Sequence, residues 1–436
     1  MTGETVESAD RLVPPGTRTI RSNFAWALAG NAVGSGCQWL LIIVLARLGT
    51  PEIVGQYALG LAVTSPIFVL AGCNLRTVQA TDTGAGPPLS TYLGIRLMMS
   101  LAAVAATFFL ILWSSYSGGA SAAIAVLACA KVLEAIADTI HGHLQRDERM
   151  DRIAVSMMLR GVLSVAALAT AVLVTRDAAW SAASVCAASL VVLCGYDLRT
   201  LRRPGEGFGA LIERLRPRGA SWIRDAMPVV RVAAPMGVLM TLVSLNAYLP
   251  RYWLAHQFTE REIGLFSAIA YMTFAANMAV MALGQTASSR LARLHASRDV
   301  RGFRKLSIAL GAMAALLGGG SVLVAWLWGA PILEMLYGAG YGQHQRTFVW
   351  LMVGGAFSYL ASACGYVMSS VRCFVPQIPL LGAATVTMVV ALWAAVPDGG
   401  ITGAAMAQAV GYAVQTVLTL GLVIRIYRNL NIAKNV

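Results

Sequence analysis

The sequence predicts an all-α, polytopic membrane protein of about 12 transmembrane helices in two six-helix lobes related by pseudo-two-fold symmetry. Three observations carry this expectation. The 436 residues are 57% hydrophobic and only 12% charged, against roughly 25% charged in soluble domains. The mean hydropathy is +0.67. Apolar runs recur along the whole chain, each long enough to cross a bilayer as a helix. So few charges cannot cover a soluble globule of this size, which excludes an ordinary soluble enzyme. The runs are also about twice the length of a tilted barrel strand, which excludes a membrane β-barrel.

The predicted spans are 24–47, 53–75, 92–113, 120–141, 153–174, 177–198, 228–255, 262–288, 306–329, 347–370, 376–397 and 401–424. Their connections alternate in charge. One side receives 26 of the 33 basic residues and the other five, while Lys131 and Arg160 lie inside spans. By the positive-inside rule both termini are expected in the cytoplasm. The expected organisation is a cytoplasmic N-terminal tail (1–23), an N-lobe (24–198), a basic amphipathic linker (199–227), a C-lobe (228–424) and a C-terminal tail (425–436). The first 20 residues hold Glu4, Glu7 and Asp10 and no apolar core, so the first span is expected to direct insertion itself. The net charge of +13 needs no nucleic-acid partner, because such a protein gathers arginines on its inner side. The seven cysteines fall in apolar runs without a CxxC pair and read as small hydrophobes, with neither disulfide nor metal expected.

Taken in order, the spans offer these candidate residues. On span one, Asn23, Ala27, Asn31, Ser35 and Gln38 form a polar or small stripe. It reads as a cleft wall, with hydrogen bonding between helices and a Gly30/Gly34 packing face as the alternative. Arg76 closes span two, either as a cation for an incoming anion or as an anchor paired with Asp82. Span four carries Lys131, Glu134, Asp138 and His141 on one face, and Arg160 of span five reaches a similar depth to Glu134. These make an ion network between spans four and five, either structural or coupled to a proton or sodium gradient. The linker mixes arginines with Leu201, Phe208, Leu211, Ile212, Leu215, Trp222 and Ile223, as in a segment on an anionic leaflet. Span seven contains Pro235, Pro250, Arg251 and Tyr252, where a bend favours a cavity or gate. Arg251 is either a cleft cation or an interfacial anchor. On span eight, Thr273, Asn277, Gln285 and Ser288 make a second polar stripe facing the first. Arg47 lies off the stripe and reads as an interfacial anchor. His141 and His143 sit among charges at a helix end, so a solvated turn is favoured over a metal site.

The halves contain a repeat. Thr50-Pro-Glu-Ile-Val-Gly55-Gln-Tyr57-Ala58 and Thr259-Glu-Arg-Glu-Ile-Gly264-Leu-Phe266-Ser267 share a T-x-x-x-V/I-G-x-aromatic-small pattern at an offset of 209 residues. Six spans per repeat implies a pseudo-two-fold axis along the membrane normal and a cleft between lobes.

The stretch Leu45–Leu59 resembles the first loop of polysaccharide and O-antigen flippases, a branch of the multidrug/oligosaccharidyl-lipid/polysaccharide exporter superfamily. Glu262–Ser267 resembles their connection between spans seven and eight. Ile332–Gly338 with Tyr341 is similar to their "LLYG-x-x-Y" stretch, and Gly400–Ala405 to the opening of their last span. The resemblance implies translocation of undecaprenyl-diphosphate-linked glycans from the inner to the outer leaflet of the bacterial inner membrane by alternating access. Membrane lipids, a polysaccharide polymerase and a chain-length regulator are the partners it implies. No cofactor and no catalytic residue are expected, and no Walker A sequence is present. A multidrug antiporter of the same superfamily and a membrane-embedded glycan polymerase remain the competing readings. The outer loops are short for an enzyme of the latter kind.

Overall fold

The computed structural model describes residues 20–80, 87–114, 116–202, 206–216 and 221–432. The N-terminal tail up to residue 19, Asp82, and residues 433–436 of the C-terminal tail lie outside the described residues, as do 203–205 and 217–220 of the linker. Among the described residues there is no strand.

The first half comprises α1 (Ile20–Leu48), α2 (Pro51–Gly72), the short α3 (Leu75–Ala80), α4 (Leu89–Trp113), α5 (Gly118–Arg146), α6 (Met150–Thr175) and α7 (Ala178–Val192). A π-helical turn (Leu193–Asp197) and α8 (Leu198–Thr200) complete its sixth crossing, and α9 (Phe208–Leu215) follows in the linker. The second half comprises α10 (Ser221–Gln257), α11 (Glu260–Ala270), α12 (Met272–Ala296), α13 (Val300–Tyr337), α14 (Gln345–Ser370) and α15 (Gln377–Ile432). A 3-10 turn (Gly342–His344) precedes α14.

Eleven helical segments are long and apolar enough to span a membrane. The last holds two crossings, because α15 leaves helical geometry at Gly400 (φ 53°, ψ −135°). Its limbs fold back on each other: the backbone at Gly403 packs on Ala395 and Val396, and Gly411 packs on Met388. Thus the twelve predicted spans are present, with helix ends moved by a few residues.

Two of these differences have clear causes. Span two breaks at Cys73 and Asn74, both at positive φ, so Arg76 lies on a separate short helix that begins at Leu75. Span seven begins seven residues earlier than the linker boundary predicts. Trp222, Ala226, Val229 and Ala233 make a helical seam against Cys73, Leu75, Tyr92 and Ile95 of the first lobe, so packing extends α10 through Pro228. The linker helix α9 places Leu211 and Leu215 against Leu93 and Leu89 of α4. Its apolar stripe is therefore shared between protein and surroundings, with Phe208 and Ile212 exposed.

In the first lobe α1 packs on α6, α2 on α4 and α5, and α7 on α5 and α6. In the second, α14 packs on α12, α13 and α15, and α10 on α15. The lobes meet chiefly where α2 crosses α10 and α11. We call the end carrying the α1–α2 and α10–α11 connections the loop end, and the end carrying the start of α1 the tail end.

Candidate functional site

The loop end is closed by the repeat itself. A methyl built on Gly55 would lie 1.9 Å from the carbonyl oxygen of Glu260, and one on Gly264 would lie 1.8 Å from that of Pro51. The 209-residue offset relates both pairs, so the two motifs cross about the pseudo-two-fold axis. Only glycine permits two backbones to approach so closely. Gln56 donates to Glu260 Oε2 at 2.7 Å, and Ser117 donates to the other oxygen of that carboxylate. Arg47 at the end of α1 donates to the carbonyls of Leu336 (3.0 Å), Glu334 (3.4 Å) and Met335. These carbonyls lie in the last turn of α13, at a helix C-terminus where a cation is favourable. Beside this seal, Pro51, Arg261, Tyr341 and His344 line a cavity of about 480 Å³. Burial, reinforced by the Glu52 carboxylate and opposed by Arg261, pushes the Tyr341 phenol up to about 12.

Beneath the seal lies a larger cavity of about 730 Å³, walled mainly by the first lobe and by Met240, Ser244, Tyr248 and Tyr271 of the second. Its charged lining comprises Arg76, Arg96, Lys131, Glu134, Asp138 and Arg160, with His141 beside them. Four guanidinium or ammonium groups thus face two carboxylates. Ser35 and Gln38 of α1 and Ser65 of α2 add neutral donors and acceptors, and Tyr57 closes the loop-end floor with Tyr248 and Tyr271. Along α5 the lining runs from Leu127 to His141, about 21 Å at 1.5 Å per residue. Glu134 and Asp138 keep 39% and 38% of their side-chain exposure. With the loop end sealed, the accessible side of the cavity is its tail half.

The α5 residues share one helix face because they follow steps of three and four. Lys131 Nζ donates to Glu134 Oε2 at 2.7 Å. Asp138 accepts from Arg96 Nη2 at 2.7 Å and from Arg76 Nη1 at 3.3 Å. Arg96 is buried and its Nε donates to Thr139 at 3.1 Å, while Arg76 Nε donates to Gln145 at 3.0 Å. The predicted pairing across spans four and five takes a different form. Arg160 turns to Asp197 at 3.0 Å, and Asp197 lies 3.6 Å from His141, which contacts Ser156 at 3.0 Å. Asp197 is fully buried at the end of the π-helical turn, whose extra residue carries its carboxylate round to α5 and α6. A carboxylate buried as completely as Asp197 is costly without a cationic partner, and Arg160 supplies one. Glu134 already holds Lys131.

The remaining predicted cleft residues lie elsewhere. Asn31 is exposed and donates to Ala27 at 2.9 Å, so only the Ser35–Gln38 portion of the stripe reaches the cavity. The neighbouring Gly30 and Gly34 pack on Ala154 and Met157 of α6. Arg251 is buried behind the floor. It donates to Ser267 (3.0 Å) and the Ala247 carbonyl (2.9 Å), and its guanidinium carbon stands 5.1–5.9 Å from the ring centres of Tyr248, Phe266 and Tyr271. Three rings and two acceptors consume that cation within the second lobe. Tyr252 donates to the Ala62 carbonyl, tying α10 to α2. Asn277 and Gln285 do not line the cavity, and Gln285 is exposed. The lobes are therefore unequal: the cations gather on one wall.

Arg96, Asp197, Tyr57 and Tyr248 were not among the predicted site residues. In the sequence Arg96 is one of the 26 basic residues assigned to the inner side, yet it shares a buried helix face with Tyr92, Ile95 and Ser100. Asp197 had a signal, since it is the only carboxylate in the run 178–200.

Residues 20–290 match the family described as "Polysaccharide biosynthesis protein". A curated relative, the capsular polysaccharide biosynthesis protein CapF of Staphylococcus aureus, is 24% identical over 335 residues, covering 77% of this chain and 82% of CapF. Among solved structures, a MATE transporter of Vibrio cholerae superposes with a TM-score of 0.63 at 12% identity, covering 94% of this chain and 96% of its own. An inward-facing multidrug resistance MATE family transporter of the MOP superfamily gives 0.62 at 15% identity, covering 95% and 96%. These structural likenesses establish the fold.

Proposed function

The chain belongs to the polysaccharide biosynthesis protein family, and from that premise we propose that it is a flippase carrying diphosphate-linked oligosaccharide repeat units across the bacterial inner membrane by alternating access. The observation that carries this reading is the cavity of about 730 Å³ whose charged lining is four cations to two carboxylates. A polyprenyl diphosphate-linked glycan brings an anionic diphosphate and a neutral or acidic polar chain. An arginine pair, one member of it buried, suits the first, because guanidinium groups bind phosphate oxygens through paired donors. Serine, glutamine and tyrosine side chains suit the second. Intramembrane charge is costly unless it serves a ligand or a partner.

In this reading the tail end faces the cytoplasm, and the cavity is loaded from there with the loop end shut. Arg76 and Arg96 hold the diphosphate, and Ser35, Gln38, Lys131 and Glu134 meet the first sugars. Transport is driven by an ion gradient, with Glu134 and Asp138 as the exchangeable carboxylates. A polymerase and a chain-length regulator act on the delivered units. A multidrug antiporter would use the same fold, and the two carboxylates are what favours it. An excess of cations in the cavity repels cationic drugs and weighs against that reading.

Deletion in the native host tests the proposal. The expected result is loss of surface glycan with complete repeat units accumulating on the lipid carrier at the cytoplasmic leaflet. Normal glycans with heightened sensitivity to cationic drugs would replace the flippase with the antiporter.

A further inference from the structure

Asp138 holds the same two arginines that a phosphate would need. It lies on the cavity wall of α5, accepts from Arg96 Nη2 at 2.7 Å and Arg76 Nη1 at 3.3 Å, and keeps 38% of its side-chain exposure. The arginines are placed by other groups. Arg96 is nearly buried, anchored through Nε to Thr139, and its Nη1 lies over the bare α-carbon of Gly72, where a methyl would approach within 2.8 Å. Arg76 is fixed through Nε to Gln145, which sets the plane of its guanidinium and turns Nη1 toward Asp138. Two fixed guanidinium groups around one carboxylate leave one positive charge uncompensated, which a diphosphate neutralises and a single carboxylate does not.

We infer that Asp138 is an internal stand-in for the substrate's phosphate: it occupies the Arg76–Arg96 fork when the cavity is empty, is displaced when a diphosphate binds, and returns to expel it. This rests on the flippase reading and adds a competitor to it. The fork recognises a diphosphate group, whether borne by a prenyl lipid or free. A carboxylate tethered 3 Å away holds the empty site together and weakens the ligand by the fraction of time the fork is closed on it. Displacing the ligand is what a carrier requires at the far side, since a cation pair that never lets go would trap its cargo.

The sign of one change in affinity tests this. Purified full-length protein in detergent is titrated with farnesyl diphosphate and, separately, with inorganic pyrophosphate. Asp138→Asn, with Asp138→Ser as the second neutral variant, is expected to bind farnesyl diphosphate about tenfold more tightly. Its turnover in liposomes loaded with the lipid-linked substrate is expected to fall. Arg76→Gln and Arg96→Gln are expected to weaken binding in the same assay. Unchanged or weaker binding in both Asp138 variants, with the arginine variants still weakened, overturns the stand-in and leaves the flippase reading standing. Absence of farnesyl diphosphate binding in every form, the wild type included, overturns both. Binding and tightening confined to inorganic pyrophosphate supports the displacement and removes the lipid-linked substrate.

Discussion

Arg76 and Arg251 are the two arginines that a sequence reading ranks alike, and the structure separates them. Arg76 reaches into the cavity with its carboxylate partner half-exposed. Arg251 is enclosed by three rings and two acceptors. The Arg76→Ala protein is therefore expected to keep its thermal stability and lose diphosphate affinity and transport. For Arg251→Ala the expectation is reversed: a loss of roughly 2–4 kcal/mol of stability from the emptied aromatic cage, with the affinity of whatever folds unchanged. Thermal unfolding in detergent beside a binding isotherm separates the two, and equal loss of affinity in both would return Arg251 to the cleft. The face of α5 was legible at this scale because four polar residues in an apolar helix can be placed by spacing alone. The partner of Arg160 was not. Choosing Asp197 over Glu134 needs the π-helical turn, and one extra residue in a turn leaves no trace in hydropathy.

At the scale of the element, hydropathy located every crossing, because a helix buried in lipid must satisfy its own backbone. What it missed is the break that follows α2. The joint at Cys73 and Asn74 sets Arg76 on its own short helix, and only Gly72 and Asn74 mark it inside an otherwise apolar run. The turn inside α15 is marked, by Pro397 and the Gly399-Gly400 pair. Gly400 at φ 53°, ψ −135° lies where a side chain is strained. The Gly400→Ala variant is expected to cost about 1–3 kcal/mol. That loss should be visible as earlier thermal unfolding with transport per folded molecule preserved, since the turn lies far from the charged lining. An unchanged melting point would show that the hairpin tolerates a second geometry.

At the loop end the two lobes meet through the crossing of α2 with α11, and that joint depends on two hydrogen atoms. Neither Gly55 nor Gly264 can carry a methyl without meeting a carbonyl oxygen across the axis at under 2 Å. Such an overlap cannot be relieved by a rotamer, because backbone stands on both sides. Each lobe packs on itself through helices that the substitution does not touch, so Gly55→Ala and Gly264→Ala are expected to fold and insert. What they cannot do is close the loop end. A cost of about 3 kcal/mol on closure raises the ratio of loop-open to loop-closed molecules roughly a hundredfold. A cysteine placed at Gln56, whose amide now reaches Glu260 across the seam, reports this directly. In a background without the native cysteines, its labelling by a membrane-impermeant thiol reagent added on the loop-end side is expected to rise steeply in both alanine variants, and transport to fall. The sequence had already paired these glycines through the 209-residue repeat. Only the fold shows that the repeats touch, and so that one motif serves as both halves of a gate. Unchanged labelling together with normal transport would mean that the lobes never need this contact, and alternating access would have to be sought about another axis.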